Sequence, residues 1–153
     1  MVHPLKGNAV PAETIVIASD HGAITLKEAL MEELQERGYL VLDLGINGPD
    51  TVDYPDFADA LSKVIREERA VKGVLMCGSG IGMSIAANRH REIRAALVHD
   101  NLGARLARRH NDANVLVMGG RVIGIEVAKD CLATFLDTEF EGGRHARRVA
   151  KMS

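Results

Sequence analysis

A glycine-rich segment around a cysteine is the part of this sequence best suited to chemistry. Residues 77–82 read CGSGIG and combine a thiol, a hydroxyl and three glycines: Cys77, Ser79, Gly78, Gly80 and Gly82. Glycines let backbone N–H groups approach an anion closely, and a following helix adds the positive end of its dipole. The segment therefore predicts either an anion cradle beside a reactive thiol or a tight turn around a buried, inert cysteine.

Three established motifs fit this spacing poorly. In a dinucleotide site with the pattern GxGxxG, the third glycine should stand where Met83 is, and Gly82 comes one residue early. Asp100, near the end of the next predicted strand, is the only feature that suits that motif. A P-loop needs a Lys-Ser/Thr pair where the sequence has Met83-Ser84, and a cysteine phosphatase cradle needs an arginine at position 83. The spacing therefore disfavours all three interpretations: a dinucleotide site, a P-loop and a cysteine phosphatase cradle.

Other polar groups could bind an anion or move a proton. Asp20 and His21 follow the first predicted strand, and histidine is an acid, a base or a phosphate ligand near neutral pH. His110 closes a basic stretch, while Arg144 and Arg148 are four residues apart and share one helical face, as in a phosphate clamp. The simpler alternatives are a helix cap by Asp20, a favourable helix dipole contact for His110, and a solvated basic tail.

Alternating strands and helices would position these groups. Strands are predicted at 14–19, 40–44, 71–77, 94–99 and 115–118. Helices are predicted at 23–37, from Pro55 onward, at 83–88, 102–109 and 125–136, and in the tail at 141–153. Strict alternation indicates right-handed crossovers and an open parallel sheet, which binds ligands beyond the carboxyl ends of its strands. Asp20, Cys77 and Arg121 each follow a strand, so we expect them at one edge.

Composition limits the functional classes. The 153 residues suit one domain, and 46% hydrophobic with 26% charged residues is ordinary for a soluble chain. A net charge of -2 argues against a general nucleic-acid surface, and there is no apolar run long enough to span a membrane. We expect residues 1–12 to be a loose extension and 13–153 one domain. With no signal peptide, we expect a cytoplasmic protein in which Cys77 and Cys131 are free thiols.

Six ordered blocks resemble the ribose-5-phosphate isomerase B family, which includes allose-6-phosphate and galactose-6-phosphate isomerases. They are DHG at Asp20, DYPDFA at Asp53, CGSGIGMSIAAN at Cys77, RRHNDANVL at Arg108, GGRVIG at Gly119 and EGGRHARRV at Glu141. The resemblance covers residues from about 14 to about 152. It implies a three-layer α/β/α, Rossmann-like open sheet of five parallel strands. It also implies interconversion of an aldose phosphate and its ketose through a cis-enediolate, without a cofactor or metal.

The resemblance also implies roles. Cys77 matches the base that moves a proton between carbons 1 and 2, and Ser79 matches the residue that shuttles protons between the two oxygens. The amides of the three glycines match the enediolate cradle. The remaining matches are His110 as ring opener with Asp20 opposite it, Asn111 at the sugar oxygens, Tyr54 lining the substrate, and four phosphate ligands: His21, Arg121, Arg144 and Arg148.

The family forms dimers, often paired into tetramers, with shared sites. We therefore expect one chain to supply Asp20, His21, Cys77 and Ser79, and its partner to supply His110, Asn111, Arg144 and Arg148, from a C-terminal helical tail that packs on the partner subunit.

Departures from the family pattern bear on base and substrate. Met83 stands where some members carry a carboxylate base, so this chain belongs with the cysteine-base group. Aromatics common after Gly22 and near Asn101 are absent, which bears on sugar length. We expect ribose 5-phosphate as substrate, with allose 6-phosphate, galactose 6-phosphate or a tetrose phosphate as alternatives. The competing classes are a dinucleotide-binding module and a non-catalytic sugar-phosphate sensor, which would not need Cys77 together with His110.

Overall fold

The computed structural model describes residues 13–45 and 51–153. Its strands are β1 (Thr14–Ser19), β2 (Leu40–Asp43), β3 (Lys72–Cys77), β4 (Ala95–Leu97) and β5 (Val115–Gly119). Its helices are α1 (Ile24–Glu36), α2 (Tyr54–Arg66), α3 (Ile81–Ala87), α4 (Asn101–Asn111), α5 (Ile125–Asp137) and α6 (Arg144–Ala150). The predicted extension, residues 1–12, lies outside the described residues, so the domain boundary at residue 13 stays a prediction. No helix in the described ranges is long and apolar enough to cross a membrane.

The five strands form one parallel sheet, as predicted. Their order is β2-β1-β3-β5-β4, which places β3 at the centre between β1 and β5. Ser19 pairs with Met76 and Cys77 pairs with Gly119, so these three strands end level with one another. The residues that follow them are consequently neighbours at the carboxyl edge of the sheet.

Both faces of the sheet are covered, which is why the strands read as continuous apolar runs. In β1, Ile15 and Ile17 belong to one buried cluster, while Val16 and Ala18 belong to another, and all four are 0% exposed. The first cluster includes residues of α1, α4 and α5, and the second includes residues of α2 and α3. The result is the expected three-layer α/β/α arrangement, with a sheet that is fixed from both sides.

The structure differs from the predicted boundaries in two elements near the site. α3 begins at Ile81 rather than at residue 83, because Gly80 adopts the left-handed conformation (φ +80°) and caps the helix. β4 contains only Ala95–Leu97 of the predicted 94–99, at the edge of the sheet. There the side-chain amide of Asn88 donates to the Ala95 carbonyl at 2.9 Å and accepts its N–H at 2.7 Å.

The C-terminal tail contains a helix, α6, which is shorter than the predicted 141–153, and the tail packs on its own chain. The buried ring of His145 in α6 stacks on His110 at the end of α4, with ring centroids 4.3 Å apart and planes 11° apart. Arg144 and Arg148 on the same helix are exposed. Packing of the tail on a partner subunit stays a prediction.

Candidate active site

A cleft of about 630 Å³ opens at the carboxyl edge of the sheet, around the end of β3. We call it the Cys77 cleft. Its lining contains many of the residues singled out in the sequence: Asp20, His21, Tyr54, Cys77, Gly78, Ser79, Gly82 and Arg121. It also contains Gly22 and three apolar side chains, Ile81, Ile85 and Val122. The fold therefore gathers the groups that follow β1, β3 and β5 into one concave site, as expected for an open parallel sheet.

The thiol of Cys77 is held by the turn that follows it. Cys77 is 4% exposed, and its Sγ accepts the backbone N–H of Gly80 at 3.0 Å. This contact depends on the left-handed conformation of Gly80, where a Cβ would stand 2.6 Å from Cδ1 of Leu97. A backbone N–H directed at sulfur stabilises negative charge there. Cys77 is thus buried and also lines the cleft, and its reactivity stays a prediction.

The backbone around Ser79 and Gly82 forms the floor of the cleft. The Ser79 hydroxyl accepts the N–H of Ile81 at 3.2 Å. The ring of Tyr54, the first residue of α2, lies directly over Gly82, where a Cβ would come within 2.5 to 2.7 Å of three ring and hydroxyl atoms. Only glycine leaves room for this approach. Tyr54 thus forms one wall of the cleft, and its contact with substrate stays a prediction.

Asp20 and His21 stand at the end of β1 in different environments. Asp20 is 7% exposed, and its Oδ1 accepts the N–H of Gly22 at 2.8 Å, so its carboxylate is fixed by the local turn. His21 is exposed, and its Nδ1 accepts the N–H of Val52 at 3.4 Å. A neutral ring that accepts at Nδ1 carries its proton on Nε2. His21 can therefore donate a hydrogen bond to an anion.

Arg121 contributes a positive charge to the same cleft. Its backbone N–H donates to the carbonyl of Gly78 at 2.9 Å, which ties the turn after β5 to the turn after β3. Its side chain runs over Gly78, where a Cβ would lie 3.5 Å from both Cδ and Nε of the arginine. Arg121 and His21 together give the cleft two groups that suit a phosphate.

A second group of predicted site residues does not line this cleft. We call it the basic corner: His110 and Asn111 at the end of α4, with Arg144 and Arg148 in α6. α4 returns from the carboxyl end of β4 to the start of β5, so its last turn lies near the amino ends of the strands. β5 then runs five residues back to the carboxyl edge, a rise of about 13 Å between its end residues. One chain thus holds the two groups at opposite edges of its sheet.

Within the basic corner, two imidazoles share one carboxylate. Nε2 of His110 and Nε2 of His145 each lie 4.0 Å from an oxygen of Glu141, and Nε of Arg109 lies 3.5 Å from the same carboxylate. Burial lowers the pKa of His145, neighbouring His110 and Arg144 lower it further, and Glu141 opposes them. Burial therefore favours the neutral form of the His145 ring. His145 Nε2 is buried and has no hydrogen-bond partner among residues 13–45 and 51–153.

Comparison with known proteins identifies the family of this chain. Residues 15–152 match the family model described as Ribose/Galactose Isomerase. The chain belongs to the ribose/galactose isomerase family. Its fold matches the crystal structure of a ribose 5-phosphate isomerase from Thermotoga maritima with a TM-score of 0.90 and 51% identity, over 92% of this chain and 97% of that one.

Two named relatives of this chain are also sugar-phosphate isomerases. Ribose-5-phosphate isomerase B of Escherichia coli is 40% identical over 88% of this chain and 91% of that protein. D-erythrulose-4-phosphate isomerase of Pectobacterium atrosepticum is 43% identical over 91% of this chain and 92% of that protein. The chain is a sugar-phosphate isomerase, and the family resemblance seen in the sequence is confirmed.

Sequence reasoning gave no role to two residues that the structure brings to the basic corner of this family member. His145 and Glu141 both lie within the block EGGRHARRV, yet 35 and 31 positions separate them from His110. Spacing along the chain carries no signal for such a contact. The only available hint was that a histidine stands between two clamp arginines.

Proposed function

We propose that this isomerase interconverts ribose 5-phosphate and ribulose 5-phosphate through a cis-enediolate, with Cys77 as the base. The observation that carries the proposal is the Cys77 cleft itself. It places a thiol that accepts a backbone N–H beside Ser79 and Asp20, in a cavity that also holds His21 and Arg121 as phosphate-binding groups. Such a site offers a base, a proton shuttle and a phosphate subsite in one cavity.

The proposed reaction is a proton transfer between neighbouring carbons. The Cys77 thiolate takes the proton from C2 of the open-chain aldose, and the electrons form the enediolate between C1 and C2. The same proton then returns to C1, while Ser79 moves a proton between O2 and O1, which leaves the C2 carbonyl of the ketose. Backbone amides at Gly78 and Gly82 stabilise the enediolate charge. The Gly80 amide, predicted for the same task, donates to the Cys77 sulfur in this structure.

The two separated groups of residues support a site shared between two copies of the chain. His110, Arg144 and Arg148 must contact the same bound sugar phosphate as the Cys77 thiol if they open its ring and bind its phosphate. The fold of a single chain does not allow this, because it holds the two groups at opposite ends of the strands. A second copy supplies these residues by presenting its basic corner to the Cys77 cleft. Three large apolar side chains at the cleft, Ile81, Ile85 and Val122, are 53 to 63% exposed and suit a covered surface.

The assembly is therefore a homodimer or a pair of dimers, and the tail acts on the partner. Within each shared site, the partner's His110 opens the furanose ring opposite Asp20, and the partner's Asn111 steadies the sugar oxygens. Cys77 and Cys131 are both free, which suits a reducing compartment such as the cytoplasm.

A tetrose phosphate is the second candidate substrate. The relative from Pectobacterium, named as an erythrulose-4-phosphate isomerase, is as similar to this chain as the ribose-5-phosphate isomerase B of Escherichia coli. Both reactions use the same proton transfer, and they differ in sugar length and in the need for ring opening. A tetrose phosphate cannot close a furanose ring through its phosphorylated carbon, so it does not need His110 for ring opening.

A substrate panel tests the proposal. We expect kcat/KM to be highest for ribose 5-phosphate when ribose, allose, galactose and tetrose phosphates are assayed side by side. A higher value for a tetrose phosphate would replace ribose 5-phosphate as the substrate, and no activity on any aldose phosphate would contradict the proposed reaction. Activity should survive treatment with a chelator, because the proposed chemistry needs no metal.

A further inference from the structure

We propose that His110, Glu141 and His145 form a binding site for a divalent transition metal ion of the zinc class, and that the ion inhibits the enzyme. One ring nitrogen from each histidine and one carboxylate oxygen of Glu141 lie within 4.8 Å of one another. Two imidazoles and a carboxylate are a donor set that suits Zn²⁺, Co²⁺ or Ni²⁺. A water molecule can complete a tetrahedral shell.

The state of His145 provides a second, independent observation. Its side chain is 7% exposed, and its Nε2 lies 4.0 Å from an oxygen of Glu141. In the part of the chain that the structure describes, this buried nitrogen has no hydrogen-bond partner. Buried polar atoms in native proteins normally have a partner, so an orphaned imidazole nitrogen directed at a carboxylate calls for a ligand between them. A metal ion bound to both groups supplies that partner.

The site must contract to bind a metal. Ligand atoms around a tetrahedral zinc ion are about 3.3 Å apart, so the histidine and carboxylate atoms must approach by roughly 1 Å. The metal must also lie in the plane of each imidazole, which requires one ring to tilt out of the His110–His145 stack. The side chains of His110 and Glu141 are 38% and 44% exposed and can turn, while His145 stays fixed as the buried anchor.

Positive charges oppose the ion and set its affinity. Arg109 contacts Oε2 of Glu141 at 3.5 Å and competes directly with a metal for this carboxylate. Arg144 and Arg148 lie on the same short helix as His145. We therefore expect moderate affinity, and we expect Arg109→Gln to tighten metal binding, because this change frees the carboxylate.

Inhibition follows from the overlap with His110, and this part rests on the proposed ring-opening role. A metal-bound imidazole has no lone pair left at Nε2 and cannot exchange a proton there. Occupancy should therefore suppress turnover of cyclic ribose 5-phosphate and be reversed by a chelator.

The test uses the full-length enzyme after chelator treatment and dialysis. Calorimetric titration with ZnCl₂ should show one ion per chain. His145→Gln and Glu141→Gln should each raise the zinc Kd by at least about 100-fold, since even the loss of a group that only orients a ligand costs 10- to 100-fold. Both variants should keep isomerase activity and lose zinc inhibition. Glu141 is exposed, so its variant stays informative if His145→Gln fails to fold.

Cysteine ligation is the main competing explanation of zinc binding. The Co²⁺ complex of the wild type should lack a thiolate-to-metal charge-transfer band, and Cys77→Ala should still bind one zinc ion per chain. A thiolate band, loss of binding in Cys77→Ala, or unchanged affinity in Glu141→Gln would overturn the site. Zinc that binds at the mapped residues without inhibiting would uphold the site and contradict the role of His110 in ring opening.

Discussion

The Cys77 cleft and the basic corner are built by different means. In the cleft, the functional groups directly follow strands and are fixed by backbone contacts, and both Cys77 and Asp20 are less than 10% exposed. In the basic corner, the functional groups are side chains on the ends of helices, and His110 is about two-fifths exposed. Proton abstraction at carbon needs a base held rigidly by the sheet. Groups that must reach into another subunit have to project, and helix ends allow this.

Cys77→Ala should produce the largest loss, because this change removes the proposed base itself. Turnover should fall by at least about 10²–10⁴-fold, the usual contribution of general acid–base catalysis, with the fold and phosphate binding intact. Steady-state kinetics and circular dichroism measure the two effects. Near-native kcat in this variant would move the base elsewhere.

The second cysteine provides a matched control for that experiment. Cys131 is 0% exposed, and burial, followed by the charges of Asp130 and Asp100, raises its pKa to about 11. Iodoacetamide should therefore inactivate the enzyme through Cys77 alone, substrate should protect against it, and Cys131→Ala should be inactivated at the native rate. If substrate no longer protects the Cys131→Ala variant against iodoacetamide, this assignment is wrong.

Subunit mixing tests whether the two regions meet across subunits. Cys77→Ala has a damaged cleft, and Arg144→Ala/Arg148→Ala has a damaged corner, so each protein alone should be inactive. In a mixed dimer one of the two sites combines both intact halves, and random exchange should restore about a quarter of the native sites. The measurement is activity after exchange, with exchange itself followed by mass spectrometry of differently labelled chains.

Two outcomes would contradict a site shared between subunits. Exchange without any return of activity would mean that the corner and the cleft do not act in the same site. An active enzyme that sediments as a monomer would show that one chain is sufficient, in conflict with the placement of the two groups at opposite edges of the sheet.

His110→Ala should affect substrates unequally. The loss on cyclic ribose 5-phosphate should reach about 10²-fold, the lower end for acid–base catalysis, whereas an open-chain analogue that needs no ring opening should lose far less. Arg109→Ala, which removes the neighbouring charge on the same helix, is the matched control and should not discriminate between the two substrates. Equal losses for both substrates in His110→Ala would remove the histidine from this step.

The sequence alone predicts the Cys77 cleft better than the basic corner. Asp20, Cys77 and Arg121 could be predicted from the sequence because each stands at or just beyond the end of an apolar strand, and a parallel sheet brings such positions to one edge. The sequence could not predict the contact between His145 and His110, because this contact depends on how α6 packs on α4. Likewise, the start of α3 at Ile81 depends on the left-handed conformation of Gly80, which helical periodicity does not predict.

Gly82→Ala should have the smallest effect. It tests whether the cleft wall formed by Tyr54 matters as much as the catalytic base Cys77. An added Cβ would stand 2.5 Å from Cζ of Tyr54, so the ring, which is 39% exposed, must swing outward. A displacement of about 1 Å in a positioning group costs up to roughly 10²-fold, and we expect a loss within that limit in kcat/KM, mostly through KM. The matched control is Gly124→Ala, because a Cβ at Gly124 meets nothing within 4 Å and its φ is negative. If Gly82→Ala keeps the native KM while Cys77→Ala is inactive, the cleft acts through its base alone, and Tyr54 lines the site without holding the substrate.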